Sequence, residues 1–186
     1  ARLARAMSLK NAAAGLPHGG GKSVIFGDPA IPPSRKEILV RAFAQAIAQL
    51  TNYLPGPDMG TNETCMAWIH EEIGRAVGLP RVIGGIPLDE IGATGLGVAA
   101  ATKVAEEFTG IALDGARVAI QGFGAVGKHA ARYLAQEGAQ IVAVADSRGT
   151  ALNPEGCELS KLNALKADGQ SVVECPGVET ADRNAV

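Results

Sequence analysis

The sequence predicts an α/β chain whose first half is helical and whose second half opens a parallel sheet with helices packed on it. Three observations carry that prediction. Apolar residues recur at helical spacing across residues 34–77, a Gly- and Pro-rich run breaks the pattern across 79–92, and two β-rich runs flank a helical one between Arg117 and Asp146.

In chain order, Ser34-Arg-Lys-Glu37 places a hydroxyl ahead of a carboxylate in the capping-box pattern, and Leu39, Phe43, Ala46, Ile47 and Leu50 follow as a helical stripe. After the turn LPGPDMGT, Thr61 is the expected N-cap of a second helix with Met66, Ile69, Ile73 and Val77 on its apolar face, stopped by Gly78 and Pro80. The run LPRVIGGIPLDEIG marks a boundary, which divides the chain into residues 1–92 and 93–186. A helix of small residues is expected from Thr94 to Phe108; its Gly95, Gly97 and Ala100 suit close helix packing, because no buried strand precedes them to make a phosphate loop. Then come the strand RVAIQ, a helix from Val126 to Glu137 ended by Gly138, and the strand QIVAVAD, which together form a parallel βαβ unit. SVVEC reads as one more strand. The absence of a starting Met, and an end soon after SVVEC, read as an internal piece of a longer chain.

Composition narrows the function classes. With 186 residues and 47% apolar content the chain has a proper core to bury, and a formal charge of −2 without any Lys/Arg cluster gives no field for nucleic acid. Cys65, Cys157 and Cys175 are odd in number and lack CxxC spacing, which suits reduced thiols in a cytoplasmic protein. No apolar run reaches the roughly 18 to 20 residues of a membrane span. His70 and His129 fall on expected helices without metal-ligand spacing, so no metal is expected.

Gly122, Gly124 and Gly127 form GFGAVG, a weak signal by spacing alone in a chain with 24 glycines. Context strengthens it. The triplet follows a strand and opens a helix, where free backbone N–H groups and the positive end of the helix dipole receive a pyrophosphate. Gly122 serves the tight turn, Gly124 the approach of phosphate to the backbone, and Gly127 the packing of helix on strand. The turn Gly122-Phe123-Gly124-Ala125-Val126-Gly127, with Asp146 and Ser147 at the end of the second strand, is therefore the expected cofactor site. Asp146 favours NAD, as an acceptor for the ribose hydroxyls, while Arg148 beside it keeps NADP open.

The other unusual segment is KNAAAGLPHGGGK, from Lys10 to Lys22. Its glycines miss the P-loop register by one place and precede a β-like SVIF instead of a helix, which disfavours a nucleoside triphosphatase. Alternatively, Gly19 and Gly20 let a small substrate approach the backbone while Lys10 and Lys22 bring two amines to one anion. Held close, two amines disfavour each other's ammonium form, which suits one of them to act as a base near neutral pH. Two solvated lysines beside a flexible loop is the plainer reading of the same residues. Asp58, in the tight loop PGPDMGTN, is a candidate proton carrier.

Taken together, MSLKNAAAGLPHGGGK, GDP, GPDMGTNETCMAWI, ATGLGV, GFGAVG and ADSRGTALNPEG resemble the glutamate, leucine, phenylalanine and valine dehydrogenase family across nearly the whole chain. The resemblance implies a partial substrate-binding and oligomerisation domain over 1–92, followed by the first part of an NAD(P)-binding Rossmann domain over 93–186. It implies Lys10 as the substrate carboxylate ligand, Lys22 and Asp58 as catalytic groups, and Thr94 near the nicotinamide amide. The activity implied is reversible oxidative deamination of an L-amino acid, glutamate favoured over leucine, valine or phenylalanine, to the 2-oxo acid and ammonia. The family forms homo-oligomers, often hexamers. The competing reading is a non-catalytic regulatory protein that binds a nicotinamide dinucleotide.

Overall fold

The computed structural model describes residues 1–28 and 31–186. Pro29, the last residue of the GDP motif, lies outside the described residues. The backbone separates into two compact units, residues 1–87 and 88–186.

Among its described residues the first unit holds three α-helices, α1 (Arg2–Ala13), α2 (Pro33–Ala46) and α3 (Glu63–Ile73), and a short 3-10 turn at Arg81–Ile83. Helix α2 starts one residue before Ser34, because Pro33 at the first helical position supplies a preset φ, and Pro32 is the N-cap; the expected capping box does not form. The apolar face is rotated from the expected stripe. Val40, Ala44 and Ile47 are buried, while Leu39 and Leu50 face outward. Helix α3 is capped by Asn62, whose side chain accepts from the Cys65 N–H, instead of by Thr61. It stops at Ile73, earlier than Gly78, because Gly74 adopts φ +71° and ends the helix in the left-handed conformation. Val40 and Ala44 of α2 pack on Cys65, Met66 and Ile69 of α3 as this unit's core. Arg41 ties the same two helices at their surface, donating to Glu71 at 2.6 Å and Glu72 at 3.0 Å. No strand forms at SVIF; the described residues between α1 and α2 have no regular structure.

The second unit carries α4 (Leu88–Ile91), α5 (Ala93–Thr109), β1 (Arg117–Gln121), α6 (Ala125–Gln136), β2 (Gln140–Asp146), β3 (Gly149–Leu152), α7 (Leu159–Ala167) and β4 (Glu179–Ala181). The described sheet runs β1-β2-β3-β4. The β1–β2 pair is parallel, as the βαβ reading requires, whereas β2–β3 and β3–β4 are antiparallel. SVVEC is not a strand. Val172–Glu174 is a short 3-10 turn, because Ser171 and Glu174 close a capping box around it and the Asp146 carboxylate accepts the Val172 N–H at 3.0 Å. The core joins Ala99 of α5, Leu134 of α6, Leu162 of α7 and Ile141 and Val144 of β2, with Leu113 and Phe123 from the connecting loops. Helices α5 and α6 approach closely at Gly95, where a Cβ would come within 2.6 Å of His129 Cβ and 2.7 Å of the Ala130 nitrogen. That is the close packing the small-residue segment predicts.

Among the described residues no helix is long and apolar enough to cross a membrane, and no group of three or more His, Cys, Asp and Glu side chains could hold a metal.

Candidate functional site

Each unit brings a different set of the expected residues together. In the first unit the Lys22 ammonium donates to Asp58 Oδ2, so the lysine that the glycine run delivers meets a carboxylate. Asp58 is held by its own loop. Its N–H donates to Thr61 Oγ1 and the Thr61 hydroxyl donates back to the Asp58 carbonyl, both at 2.9 Å, while the Met59 N–H donates to Asp58 Oδ1 at 2.7 Å. The side chains of Lys22 and Asp58 are 28% and 47% exposed, so the pair stands where a small molecule can reach it.

The glycines ahead of Lys22 differ in use. Gly19 has open space where a Cβ would stand, and its carbonyl accepts from Asn11 Nδ2 at 3.0 Å. Gly20 lies flat on α1: its N–H donates to Ser8 Oγ at 2.9 Å, and a Cβ would run into the Ala4 carbonyl and the Ser8 backbone. The loop is thereby fixed to the helix whose last turn carries the exposed Lys10.

In the second unit Gly122 has φ +92°, a conformation that glycine adopts without strain. Gly124 is the N-cap of α6 and has nothing within 4 Å of a Cβ position. Gly127 is the tightest point, since a Cβ there would overlap the Gly122 carbonyl. The first helical hydrogen bond runs from the Lys128 N–H to the Gly124 carbonyl, and no side chain caps the helix. The N–H groups of the first turn are thus left for an anion, which fits a dinucleotide pyrophosphate. Phe123 is 1% exposed and packs into the core, so only its backbone can face a ligand. Ala125 and Val126 form the first turn of α6. Thr94 is exposed in the first turn of α5, whose N-cap is Gly92.

A groove of about 340 Å³ adjoins the turn, lined by Gly122, Gly124, Asp146, Ser147, Lys166 and Arg183 among others. Asp146 is turned inward. Oδ1 accepts from the Arg148 N–H at 2.9 Å and the Ser171 hydroxyl at 2.8 Å; Oδ2 accepts from Lys166 Nζ and the Val172 N–H, both at 3.0 Å. Burial opposes its charge, but the donors from Arg148, Lys166, Val172 and Ser171 outweigh that and hold the carboxyl well below the usual carboxylate range. Arg148 is also engaged, donating to Glu174 at 3.0 Å and to the Gly169 carbonyl at 3.3 Å. Spacing does not reveal that both residues serve their own loops.

A depressed folded-state value means that Asp146 stabilises the fold above the ordinary carboxylate pKa, and that this contribution fades as pH falls through the lowered value. Asp146→Asn is expected to lose about 2–3 kcal/mol at neutral pH, the scale of hydrogen bonds to a charged group. Urea unfolding of the variant and wild type should then converge as pH drops below about 4. A gap that stays constant across pH contradicts this role.

Two family models match separate stretches of the chain. A family model described as glutamate/leucine/phenylalanine/valine dehydrogenase matches residues 84–185, and one described as the dimerisation domain of the same dehydrogenases matches residues 1–75. An NADP(+)-dependent glutamate dehydrogenase of Pyrobaculum calidifontis is 37% identical, over 98% of this chain and 48% of that protein. A cryptic catabolic NAD-specific glutamate dehydrogenase of Bacillus subtilis is 38% identical, over 84% of this chain and 39% of its own length. The crystal structure of a hetero-hexameric glutamate dehydrogenase from Thermus thermophilus, in a leucine-bound form, superposes with TM-score 0.82 at 33% identity, covering 96% of this chain and 45% of that one. The chain spans about half the length of the curated relatives it matches.

Proposed function

The chain belongs to the glutamate/leucine/phenylalanine/valine dehydrogenase family, and from that premise we propose that it carries the substrate-binding centre and the cofactor phosphate site of an NAD(P)-dependent L-amino-acid dehydrogenase, glutamate being the favoured substrate. The observation that carries this reading is the Lys22–Asp58 pair, held by two separately organised loops, in the same chain as an uncapped glycine turn that fits a pyrophosphate. Residues 1–92 are assigned to substrate binding and self-association as a homo-oligomer, with a hexamer as the family's usual form, and 93–186 to the dinucleotide.

The proposed reaction removes hydride from the amino acid Cα to the oxidised dinucleotide, water adds to the resulting iminium carbon, and the 2-oxo acid, ammonium, one proton and reduced dinucleotide result. Bound nicotinamide supplies the hydride acceptor. Lys10 holds the substrate carboxylate, with the backbone at Gly19 and Gly20 beside it. Lys22 orients the attacking water and stabilises the charge on the tetrahedral oxygen, and Asp58 exchanges protons with the substrate nitrogen. Their contact suits a relay, since the carboxylate and the amine meet where both reach solvent. The phosphates are assigned to the N–H groups from Phe123 to Gly127, the adenosine ribose to Asp146 and Ser147, and the nicotinamide amide to Thr94.

Sequence favours NAD through Asp146. The inward hydrogen bonding of both Asp146 and Arg148 supports a second reading, in which neither discriminating group is free and NAD and NADP serve within about tenfold of each other. Initial rates of the full-length protein with glutamate, leucine, valine and phenylalanine, each with NAD and with NADP, test both readings. Glutamate should give the highest rate. Dinucleotide binding without turnover of any of the four favours the regulatory alternative.

A further inference from the structure

Lys22 is flanked by two residues that share one partner. On its N-terminal side, a Cβ on Gly21 would stand 2.5 Å from Tyr53 Cε2 and 2.7 Å from Cδ2, so the phenol ring lies directly against the glycine. On the other side, the Ser23 hydroxyl donates to the Tyr53 hydroxyl at 3.0 Å. One aromatic side chain therefore holds the backbone both before and after the lysine.

Tyr53 is itself fixed from behind. Arg75, just past the end of α3, donates through Nε to the Tyr53 carbonyl at 3.1 Å, and through Nη2 to the carbonyls of Ile47 at 2.9 Å and of Ala48 and Leu50 at 3.1 Å. These carbonyls lie at and beyond the end of α2, where helix geometry leaves acceptors without intrahelical donors. A planar guanidinium with several fixed donors is suited to gather them. The Tyr53 N–H closes the same turn by donating to the Leu50 carbonyl at 2.8 Å.

We propose that Tyr53 is a positioning residue for Lys22: its ring against Gly21 and its hydroxyl on Ser23 set the place of the amine relative to Asp58, and Arg75 anchors the tyrosine. Lys22 extends from an otherwise irregular loop, so nothing in its own secondary structure fixes the amine. Gly21 is required because any larger residue displaces the ring, and with it the bond to Ser23. The role assigned to Lys22 comes from the proposed dehydrogenase activity, and this inference rests on that reading.

Two measurements on the full-length protein test it. The first is steady-state kinetics of Tyr53→Ala, Tyr53→Phe, Gly21→Ala and the Gly21→Ala/Tyr53→Ala double variant. A misplacement of about 1 Å costs on the order of 10²-fold in rate, so Tyr53→Ala and Gly21→Ala should each lower kcat by about 10- to 100-fold. Tyr53→Phe, which keeps the ring against Gly21, should recover most of the loss. The double variant should be no worse than either single one, since both remove the same support. Dinucleotide affinity should stay within about twofold throughout.

The second is labelling of Lys22 by an amine-reactive reagent, mapped by mass spectrometry and normalised to Lys36. It needs no turnover and so separates this proposal from the assigned activity. Lys22 should label faster in Tyr53→Ala than in wild type, and near the wild-type rate in Tyr53→Phe. Should wild type turn over no amino acid, the dehydrogenase reading fails while the labelling still decides the role of Tyr53. Unchanged kcat and unchanged labelling in a folded Tyr53→Ala overturn the proposal, as does loss of kcat in Tyr53→Phe equal to that in Tyr53→Ala.

Discussion

Replacing Lys22 with Ala is expected to lower kcat for amino-acid oxidation by about 10²- to 10⁴-fold, the range lost with a positioned proton-transfer group, while dinucleotide affinity stays within about twofold of wild type. The two effects separate because the residues concerned lie in different units: Lys22 meets Asp58 in the first, and the glycine turn belongs to the second. Loss of the amine leaves Asp58 without its ion partner, but that side chain is 47% exposed and solvent screens it, so the fold should lose no more than about 1 kcal/mol. Single-turnover formation of reduced dinucleotide, alongside equilibrium binding of the cofactor, makes the distinction. Undiminished turnover in the variant removes Lys22 from the chemistry.

Gly127→Ala should act in the opposite sense, on the cofactor first. The added methyl has no free space: it meets the Gly122 carbonyl oxygen and carbon and lies 3.2 Å from Ile120 Cγ2. The overlap is with backbone, so no change of side-chain rotamer relieves it. Either the helix lifts off β1 or the turn is pushed outward, at a cost of about 1–3 kcal/mol in stability. Both responses move the N–H groups that the uncapped start of α6 offers to phosphate. Dinucleotide affinity should fall by at least about tenfold, measured by calorimetry or fluorescence, with the Lys22–Asp58 loops unaffected. Wild-type affinity in Gly127→Ala means that the pyrophosphate does not rest on this turn. By contrast, Gly124 has open space at its Cβ position, where a substitution obstructs an approaching ligand without straining the protein.

Local pattern made much of the second unit legible in the sequence. Apolar β-branched residues in RVAIQ and QIVAVAD, a helical run between them and glycines at the junction all favour the same structure, and β1, α6 and β2 form within a residue or two of expectation. The structure departs from expectation where a distant partner or a neighbouring proline overrides the local signal. SVVEC has strand composition, yet the Asp146 carboxylate takes the Val172 N–H and the Ser171–Glu174 box closes the turn. Ser34 has the capping-box spacing, yet the preceding prolines start the helix ahead of it. The short β3 and β4 are not legible in the sequence, because strands of four and three residues carry too little periodicity.

The candidate site shows the same division. Lys22, Asp58 and the glycine turn stood out by residue type and neighbours, but the contact between Lys22 and Asp58 spans loops that no local rule pairs. Tyr53 and Arg75 carry no signal in the sequence, because the targets of Arg75 are backbone carbonyls, which no residue pattern marks. Asp146 ends β2, as the sequence predicts, but partners that fill its lone pairs come from the segments around Lys166 and Ser171.

The most direct test of the central claim is product stoichiometry in the full-length protein supplied with glutamate and oxidised dinucleotide. The account predicts one 2-oxo acid and one ammonium for each reduced dinucleotide formed, and loss of all three together in Lys22→Ala. Tight dinucleotide binding without release of ammonium from glutamate, leucine, valine or phenylalanine contradicts it.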